Sequence, residues 1–194
     1  MRLLSIVAIA LVLATACDGR EPIGNTPLTN ALLDAHVPGV RFGTAFDSLA
    51  RYGNVVEVTK DPSGPTMNLH LHQSARGFSG LRVLGSASGT DSVDVVRAYG
   101  FIFYSPVDSS TAARTRAETL AAEIFGRMGR PGCIGYNKDL SSSVLVWEED
   151  SGSVVLVLAR QDAPNSDLAT TRLSILPPGV SARSATPNLR GGDC

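Results

Sequence analysis

Charged residues are scarce in this chain of 194 residues, and lysine is scarcer still. Only 18% of the residues are charged, and Lys60 and Lys138 are the only lysines among 17 basic residues. The formal net charge is −1, and the basic residues form no dense cluster. Proteins that bind nucleic acid need a clustered basic surface that neutralises phosphates. The composition therefore excludes nucleic acid as a partner.

The apolar run at the start of the chain is too short to cross a membrane. Residues 3–16 are almost entirely apolar, interrupted only by Ser5 and Thr15, and Arg2 precedes them. A helix that spans a bilayer needs roughly 20 apolar residues. A positive start, a short apolar run and small residues at its end are typical of a secretory signal peptide. The sequence therefore predicts export, with residues 1–16 as the signal peptide.

The end of this leader is compatible with two kinds of processing. Ala14 and Ala16 fit the small-x-small pattern of ordinary secretory cleavage. The run Leu13-Ala14-Thr15-Ala16-Cys17 also resembles the lipobox of bacterial lipoproteins. That resemblance implies cleavage before Cys17, acylation of its thiol, and attachment of the mature protein to a membrane of the cell envelope. If Cys17 is not acylated, the protein is secreted.

Cysteine is rare, and its count depends on the fate of Cys17. The chain has three cysteines, so that acylation of Cys17 leaves Cys133 and Cys194. Thiols in an oxidising compartment tend to pair. We predict a disulfide between Cys133 and Cys194, with two unpaired thiols as the alternative.

The mature chain divides into a tether, a domain and a tail. Residues 17–29 are polar and rich in Gly, Pro and Asn, which predicts a flexible tether. Residues 30–178 are long enough for one domain with a sizeable core. Residues 179–194 have the composition of a disordered tail.

Hydrophobic periodicity predicts helices and strands in two similar series. Short helices are predicted at residues 30–36 and 44–52, the latter with Thr44 as N-cap. A long helix opens near Asp108 and is stopped by Pro131, and its predicted apolar face runs from Ala113 to Met128 and includes Phe125. A loop that holds Cys133 follows the helix. Strands are predicted at residues 54–60, 67–72, 81–84, 93–104, 144–149, 153–160 and 170–176.

This order of elements predicts an α+β fold. We expect an antiparallel sheet of about six or seven strands with two helices on one face, arranged as two helix-plus-strands halves. The order is similar to that of small envelope lipoproteins of outer-membrane assembly and of tandem secreted β-lactamase inhibitors. No residue motif of either family is present, so the similarity does not extend to function.

Two histidines form the most specific pattern for chemistry. His70 and His72 lie two residues apart on a predicted strand, so both imidazoles point to one side and can reach one metal ion. A catalytic zinc site usually needs a third protein ligand, and His36 is the only other histidine. The alternative is that His70 and His72 are polar residues on the solvated face of the strand.

Two features of the predicted hairpin at residues 144–160 are assigned structural roles. The three acidic residues at positions 148–150 are interpreted as a solvated turn, because their spacing is not that of a calcium loop. Trp147 has mostly apolar neighbours and is predicted to lie in the core.

The sequence favours a binding protein over an enzyme. The first hypothesis is a non-enzymatic, lipid-anchored envelope protein that binds a protein or ligand and needs no cofactor. The second is a small extracytoplasmic hydrolase or metal-dependent enzyme that uses His70 and His72. The third is a secreted, inhibitor-like binding domain, which differs from the first only at Cys17.

Overall fold

The computed structural model of the chain describes residues 27–62, 64–87, 96–137, 142–160 and 167–180. The predicted signal peptide, Cys17 and Cys194 lie outside these residues, so the expectations about them stay predictions. None of the helices in the described ranges is long and apolar enough to span a bilayer.

Three helical segments and nine strands make up the regular structure of the described residues. The helical segments are α1 (Leu28–His36), a 3-10 helix (Phe46–Tyr52) and α2 (Ser110–Met128). The strands before α2 are β1 (Gly53–Asp61), β2 (Gly64–Ala75), β3 (Phe78–Ala87), β4 (Val96–Tyr104) and β5 (Asp108–Ser109). The strands after α2 are β6 (Cys133–Asn137), β7 (Ser142–Glu149), β8 (Gly152–Arg160) and β9 (Leu168–Leu176).

The strands form one antiparallel sheet in the order β1-β2-β3-β4-β9-β8-β7-β6, and β5 pairs with the start of β9. Strands β1 to β4 are one meander, and strands β6 to β9 are another. The two meanders meet where β4 pairs with β9. The predicted α+β class with an antiparallel sheet is therefore confirmed.

Strands β5 and β6 were not predicted, so the described sheet has more strands than expected. Strand β5 has only two residues. Strand β6 has five residues and follows a loop rich in Gly and Pro. Neither segment is long enough for an alternation of apolar and polar residues to stand out from a loop.

Helix α2 begins and ends close to the predicted positions. The hydroxyl of Ser109 accepts a hydrogen bond from the Ala112 amide at 3.3 Å, which caps the helix. Gly129 follows the last turn with φ +75°, a conformation that suits glycine at a helix end. The buried residues of the apolar face are Ala113, Ala117, Leu120 and Ile124. Phe125 was expected on the same face, but its side chain is 51% exposed.

The segment predicted as an α-helix with Thr44 as N-cap is a 3-10 helix. The helix begins at Phe46, so that Ala45 is in the N-cap position and provides no side-chain cap. The hydroxyl of Thr44 instead accepts a hydrogen bond from the Arg41 amide at 3.0 Å. The buried side chains of Phe46 and Leu49 hold the segment against the sheet.

The main hydrophobic core lies on the face of the sheet that the helices cover. Leu33 of α1, Leu49 of the 3-10 helix and Ile124 of α2 belong to one buried cluster. That cluster also contains Phe101 of β4 and Ile175 of β9. Each such side chain contributes about 1.5–3 kcal/mol of transfer free energy on burial, which fixes the helices to this face.

A second apolar cluster lies on the opposite face of strands β7 to β9. Leu145 and Trp147 of β7 face the main core, so the alternate residues Val144 and Val146 face the other side. The members of this second cluster are Val144, Val146, Val155, Val157 and Leu176. Val180, which belongs to the predicted tail, packs against it, so that the described start of the tail is ordered.

Helix α1 begins inside the predicted tether because its N-terminus is capped from a distant part of the chain. Pro27 is the N-cap residue and provides no side-chain cap. The carboxylate of Glu149 accepts hydrogen bonds from the amides of Leu28 at 3.0 Å and Thr29 at 2.8 Å. It also accepts hydrogen bonds from the hydroxyls of Thr29 and Ser151. The interpretation of this acidic turn as solvated is therefore wrong for Glu149.

The environment of Glu149 changes its ionisation. Partial burial raises the pKa, but the hydrogen bonds from Thr29, Ser151 and Leu28 outweigh that effect and lower the pKa of Glu149 below its ordinary value of 4.5. The positive end of the dipole of α1 acts in the same direction. The carboxylate is thus held in its charged form at the junction of α1 and the β7–β8 hairpin.

We expect Glu149→Gln to lower the free energy of unfolding by about 1–2 kcal/mol near neutral pH, because it removes a charged cap from α1. Since the pKa of Glu149 is lowered in the folded protein, its contribution is present above pH 4.5 and is lost as the pH falls below that value. Urea unfolding at several pH values measures the difference. Glu148→Gln, a change at an exposed neighbour, is the control, with an expected effect below about 0.5 kcal/mol. Equal effects of the two substitutions would contradict the capping role.

Candidate functional site

An apolar groove lies between α2 and the last two strands of the sheet. Helix α2 packs over β8 and β9, and β7 and β6 lie beyond it toward the edge of the sheet. The resulting groove has a volume of about 1140 Å³. Ala121, Ala122 and Phe125 of α2 form one wall. Ile134 and Tyr136 of β6, with Leu145 and Trp147 of β7, form the floor.

Large apolar side chains in the groove are open to solvent. The exposed fraction is 51% for Phe125, 57% for Ile134 and 48% for Tyr136. Ile134 and Tyr136 alternate along β6, so both point to the groove side of the sheet. A concentration of exposed apolar side chains from separate elements is typical of an interaction site.

Trp147 fixes the end of the groove next to the helix terminus. Its ring is 3% exposed, as the predicted core position requires. Its indole Nε1–H donates a hydrogen bond to the carbonyl oxygen of Gly129 at 3.2 Å. This bond ties the loop after α2 to β7 and so sets the position of Arg130 and Pro131 at the end of the groove.

The groove continues into a smaller cavity of about 300 Å³ beneath the first half of α2. The two spaces share Ala121, Ser143 and Leu145. Arg114 and Glu118 line the smaller cavity, whereas Arg130 is the only charged residue among the described lining residues of the groove. The groove is therefore apolar along its length, with charge at both ends.

The two outer strands of the sheet differ in how far they are blocked against pairing. Strand β1 has an irregular register between Val55 and Glu57, and Lys60 and Pro62 lie at its end. Bulges, lysine and proline are devices that prevent unwanted pairing at sheet edges. Strand β6 pairs with β7 in a regular register and contains no charged residue. No described strand pairs with the outer edge of β6.

His70 and His72 lie on the face of the sheet that the helices do not cover. Both side chains are exposed, and β2 alternates so that Met67, Leu69 and Leu71 face the core. The register places His70 between Asn54 of β1 and Gly80 of β3, neither of which is a usual zinc ligand. No cluster of three or more metal-binding side chains occurs among the described residues. A metal site at His70 and His72 therefore stays a prediction. The described residues supply only these two candidate ligands for it.

His36 cannot complete that site, because it is buried on the other side of the sheet. Its ring centroid lies 4.6 Å from that of Phe103 and 5.5 Å from that of Phe78, both in the main core. The Nδ1–H donates to the carbonyl oxygen of Leu32 at 2.7 Å, whereas Nε2 is buried without a hydrogen-bond partner. This arrangement fits a neutral imidazole.

The three cysteines are only partly within the described residues. Cys133 is the first residue of β6 and is half-buried against the second cluster, on the face opposite the groove. Cys17 and Cys194 lie outside the described residues. Acylation of Cys17 and pairing of Cys133 with Cys194 therefore stay predictions.

Comparisons with known proteins returned no relative of this chain. No protein-family model matches it. Neither a curated protein nor a solved structure matches it. Function is therefore inferred from the groove, the edge strand and the leader.

The groove was not predicted from the sequence. The segment that holds Cys133 is predicted as a loop, although Ile134 and Tyr136 alternate with smaller residues there. Phe125 was assigned to the core because it lies on the apolar stripe of α2. The missing signal was the position of α2, which covers β8 and β9 and leaves Phe125 at the open side.

His36 makes the stability of the fold sensitive to mild acid. Burial lowers the pKa of His36 below its ordinary value of 6.5, with a smaller contribution in the same direction from Arg76. The hydrogen bond to Leu32 and the charge of Glu123 act in the opposite direction and are outweighed. The unfolded chain therefore takes up a proton at a higher pH than the folded protein does.

We expect the free energy of unfolding to fall as the pH drops below about 6.5, by up to about 1.4 kcal/mol per pH unit, until the lowered pKa of His36 is reached. Urea unfolding between about pH 7.5 and pH 5 measures this slope. His36→Leu should remove most of it, because leucine does not titrate. Leu33→Ala is the control, since it weakens the core without removing the titrating group. An unchanged slope in His36→Leu would contradict this explanation.

Proposed function

We propose that this protein is a non-enzymatic, lipid-anchored component of the bacterial cell envelope that binds an extended apolar segment of a partner protein. The segment adds a strand to the outer edge of β6 and places its side chains in the groove. The observation that carries the proposal is the coincidence of an unblocked edge strand and an exposed apolar groove at Ile134 and Tyr136.

The form of the groove favours an extended segment over a compact small molecule. Pockets for small ligands enclose 70–90% or more of the ligand surface. Here the three large apolar side chains of the groove are about half exposed, so the groove is open along one side. Strand addition uses unpaired backbone groups for affinity and alternate side chains for specificity. No described strand pairs with the outer edge of β6, and Ile134 and Tyr136 alternate along that strand. The small side chains of Ala121 and Ala122 leave room for the incoming residues.

The chemistry of the lining residues favours binding over catalysis. The described residues that line the groove include no carboxylate, imidazole or thiol. Ser143 supplies a hydroxyl, but no base among those residues would activate it. The apolar side chains and a single guanidinium, that of Arg130, suit a mainly apolar segment with an acidic residue at one end.

The predicted signal peptide and its lipobox-like end at Cys17 are the argument for a lipid anchor. Two or more acyl chains on Cys17 hold a protein firmly, since each buried CH₂ contributes about 0.8 kcal/mol. Residues 18–27 separate Cys17 from α1, and an extended chain of that length reaches roughly 35 Å. The groove is thus kept within a few nanometres of the membrane, where partners in the envelope are accessible.

Acylation is tested by metabolic labelling with an alkyne analogue of palmitate. We expect label on the wild-type protein and none on Cys17→Ser, which lacks the thiol that the lipid would modify. Ordinary secretory cleavage predicts no label on either protein and release of both from the membrane. Equal labelling of the two proteins, or no label on the wild type, would contradict the anchor.

Binding in the groove is tested by photo-crosslinking in cells with a photoreactive amino acid at Tyr136. We expect one partner to be crosslinked at Tyr136 and also at Phe125, with the crosslinked residues within an extended apolar segment. Ala122→Arg should lower the yield at least about ten-fold, because the long side chain fills the groove. Ala122 is exposed on α2, and arginine is a good helix former, so this variant should keep its fold.

The matched control places the photoreactive residue at Val56 on β1, where the side chain is 71% exposed but the edge is irregular. Capture of a protein at Tyr136 alone would not support the proposal. Equal capture of the same partner at Val56, or a yield that Ala122→Arg leaves unchanged, would contradict it.

A further inference from the structure

Arg130 lies at the end of the groove where β6 begins. Cys133, the first residue of β6, pairs with Val146, and Trp147 is the next residue along β7. The Trp147 indole donates its hydrogen bond to the Gly129 carbonyl oxygen, so the loop after α2 lies beside the start of β6. Arg130 follows Gly129 in that loop and lines the groove there.

The guanidinium of Arg130 is available to a ligand. The residue is exposed, and the ion pairs among the described residues all involve other arginines. The backbone is restrained on both sides, because Gly129 is bonded to Trp147 and the ring of Pro131 fixes its own φ. A guanidinium in a fixed place can bind a carboxylate through two parallel hydrogen bonds.

The direction of the added segment decides which of its ends meets Arg130. Alternate side chains of a strand enter the groove in either direction, so the apolar lining does not fix the direction. Every strand pair of the described sheet is antiparallel, and antiparallel ladders are slightly more stable per residue than parallel ones. A segment antiparallel to β6 runs from Tyr136 toward Cys133, so its C-terminal end reaches Arg130.

We propose that the segment binds antiparallel to β6 and that Arg130 binds a carboxylate at its C-terminal end. This inference rests on the proposed function, because it needs a segment that adds to β6. Apolar side chains of the segment pack beside Tyr136 and then Ile134. The carboxylate follows within about three residues, since only residues 131–133 separate Ile134 from Arg130. The carboxylate belongs to an acidic side chain or to the free C-terminus of the partner.

The surroundings of Arg130 make this carboxylate a strong determinant of direction. The described lining residues of the groove contain no other charge that would compete for the carboxylate or repel it. Apolar neighbours also lower the local dielectric constant, which strengthens an ion pair relative to one in bulk water. A segment in the parallel direction would place its N-terminal end at Arg130 and lose this contact.

Mapping of crosslinks in cells tests the direction. A photoreactive amino acid is placed at Ile134 in one protein and at Tyr136 in another, and mass spectrometry identifies the captured residue of the partner. We expect the residue captured from position 134 to lie about two residues after the one captured from position 136. The opposite order would overturn this inference and leave strand addition intact, whereas capture at neither position would overturn both.

Binding of a synthetic peptide of the captured segment to the full-length protein in detergent tests the role of Arg130. We expect Arg130→Gln to weaken binding about five-fold, because it removes a charged hydrogen-bond donor. Arg82→Gln is the matched control: it removes the same charge from an exposed residue of β3, and binding should change less than about two-fold.

Two altered peptides identify the carboxylate. One peptide carries a C-terminal amide, and the other carries Asn or Gln in place of the acidic residues in its C-terminal part. We expect one of them to bind the wild type about five-fold more weakly than the parent peptide and to bind Arg130→Gln equally weakly. Unchanged binding of both peptides to the wild type, or an equal effect of Arg130→Gln on all three peptides, would overturn the inference.

Discussion

The pairing of β4 with β9 holds the two halves of the molecule in one sheet. Phe101 pairs with Ile175, and Phe103 pairs with Leu173, in the middle of the main core. Because the last strands of the two meanders meet there, β1 and β6 become the outer edges of the sheet. Helix α2 packs over β8 and β9, whereas the 3-10 helix packs against β1, β2 and β4 at the other end of the sheet.

This arrangement makes one outer strand suitable for binding. Helix α2 extends over β8 and β9, so the apolar side chains on its far side, including Phe125, face solvent beside β6. The cap that Glu149 provides for α1 links the other half of the molecule to the β7–β8 hairpin beside the groove. The hairpin that contains β7, part of the groove floor, is therefore tied to α1 as well as to the sheet.

Local sequence patterns predicted the elements whose partners lie close in the chain. The stripe on α2, the alternation in β2 and the turn at Asp150 and Ser151 gave these elements in nearly the correct places. The cap of α1 was missed because Glu149 and Thr29 lie 120 residues apart. The groove was missed because it depends on which strands α2 covers, and periodicity gives only the face that a helix buries.

Amide hydrogen exchange on the complex with the segment captured at Tyr136 tests strand addition to β6 most directly. A synthetic peptide of that segment should slow exchange at backbone amides of residues 134–137, because new inter-strand hydrogen bonds protect them. Exchange along β1, at the opposite edge, should not change. Protection on β1 or on the face that carries His70 and His72, with none on β6, would contradict the proposed mode of binding.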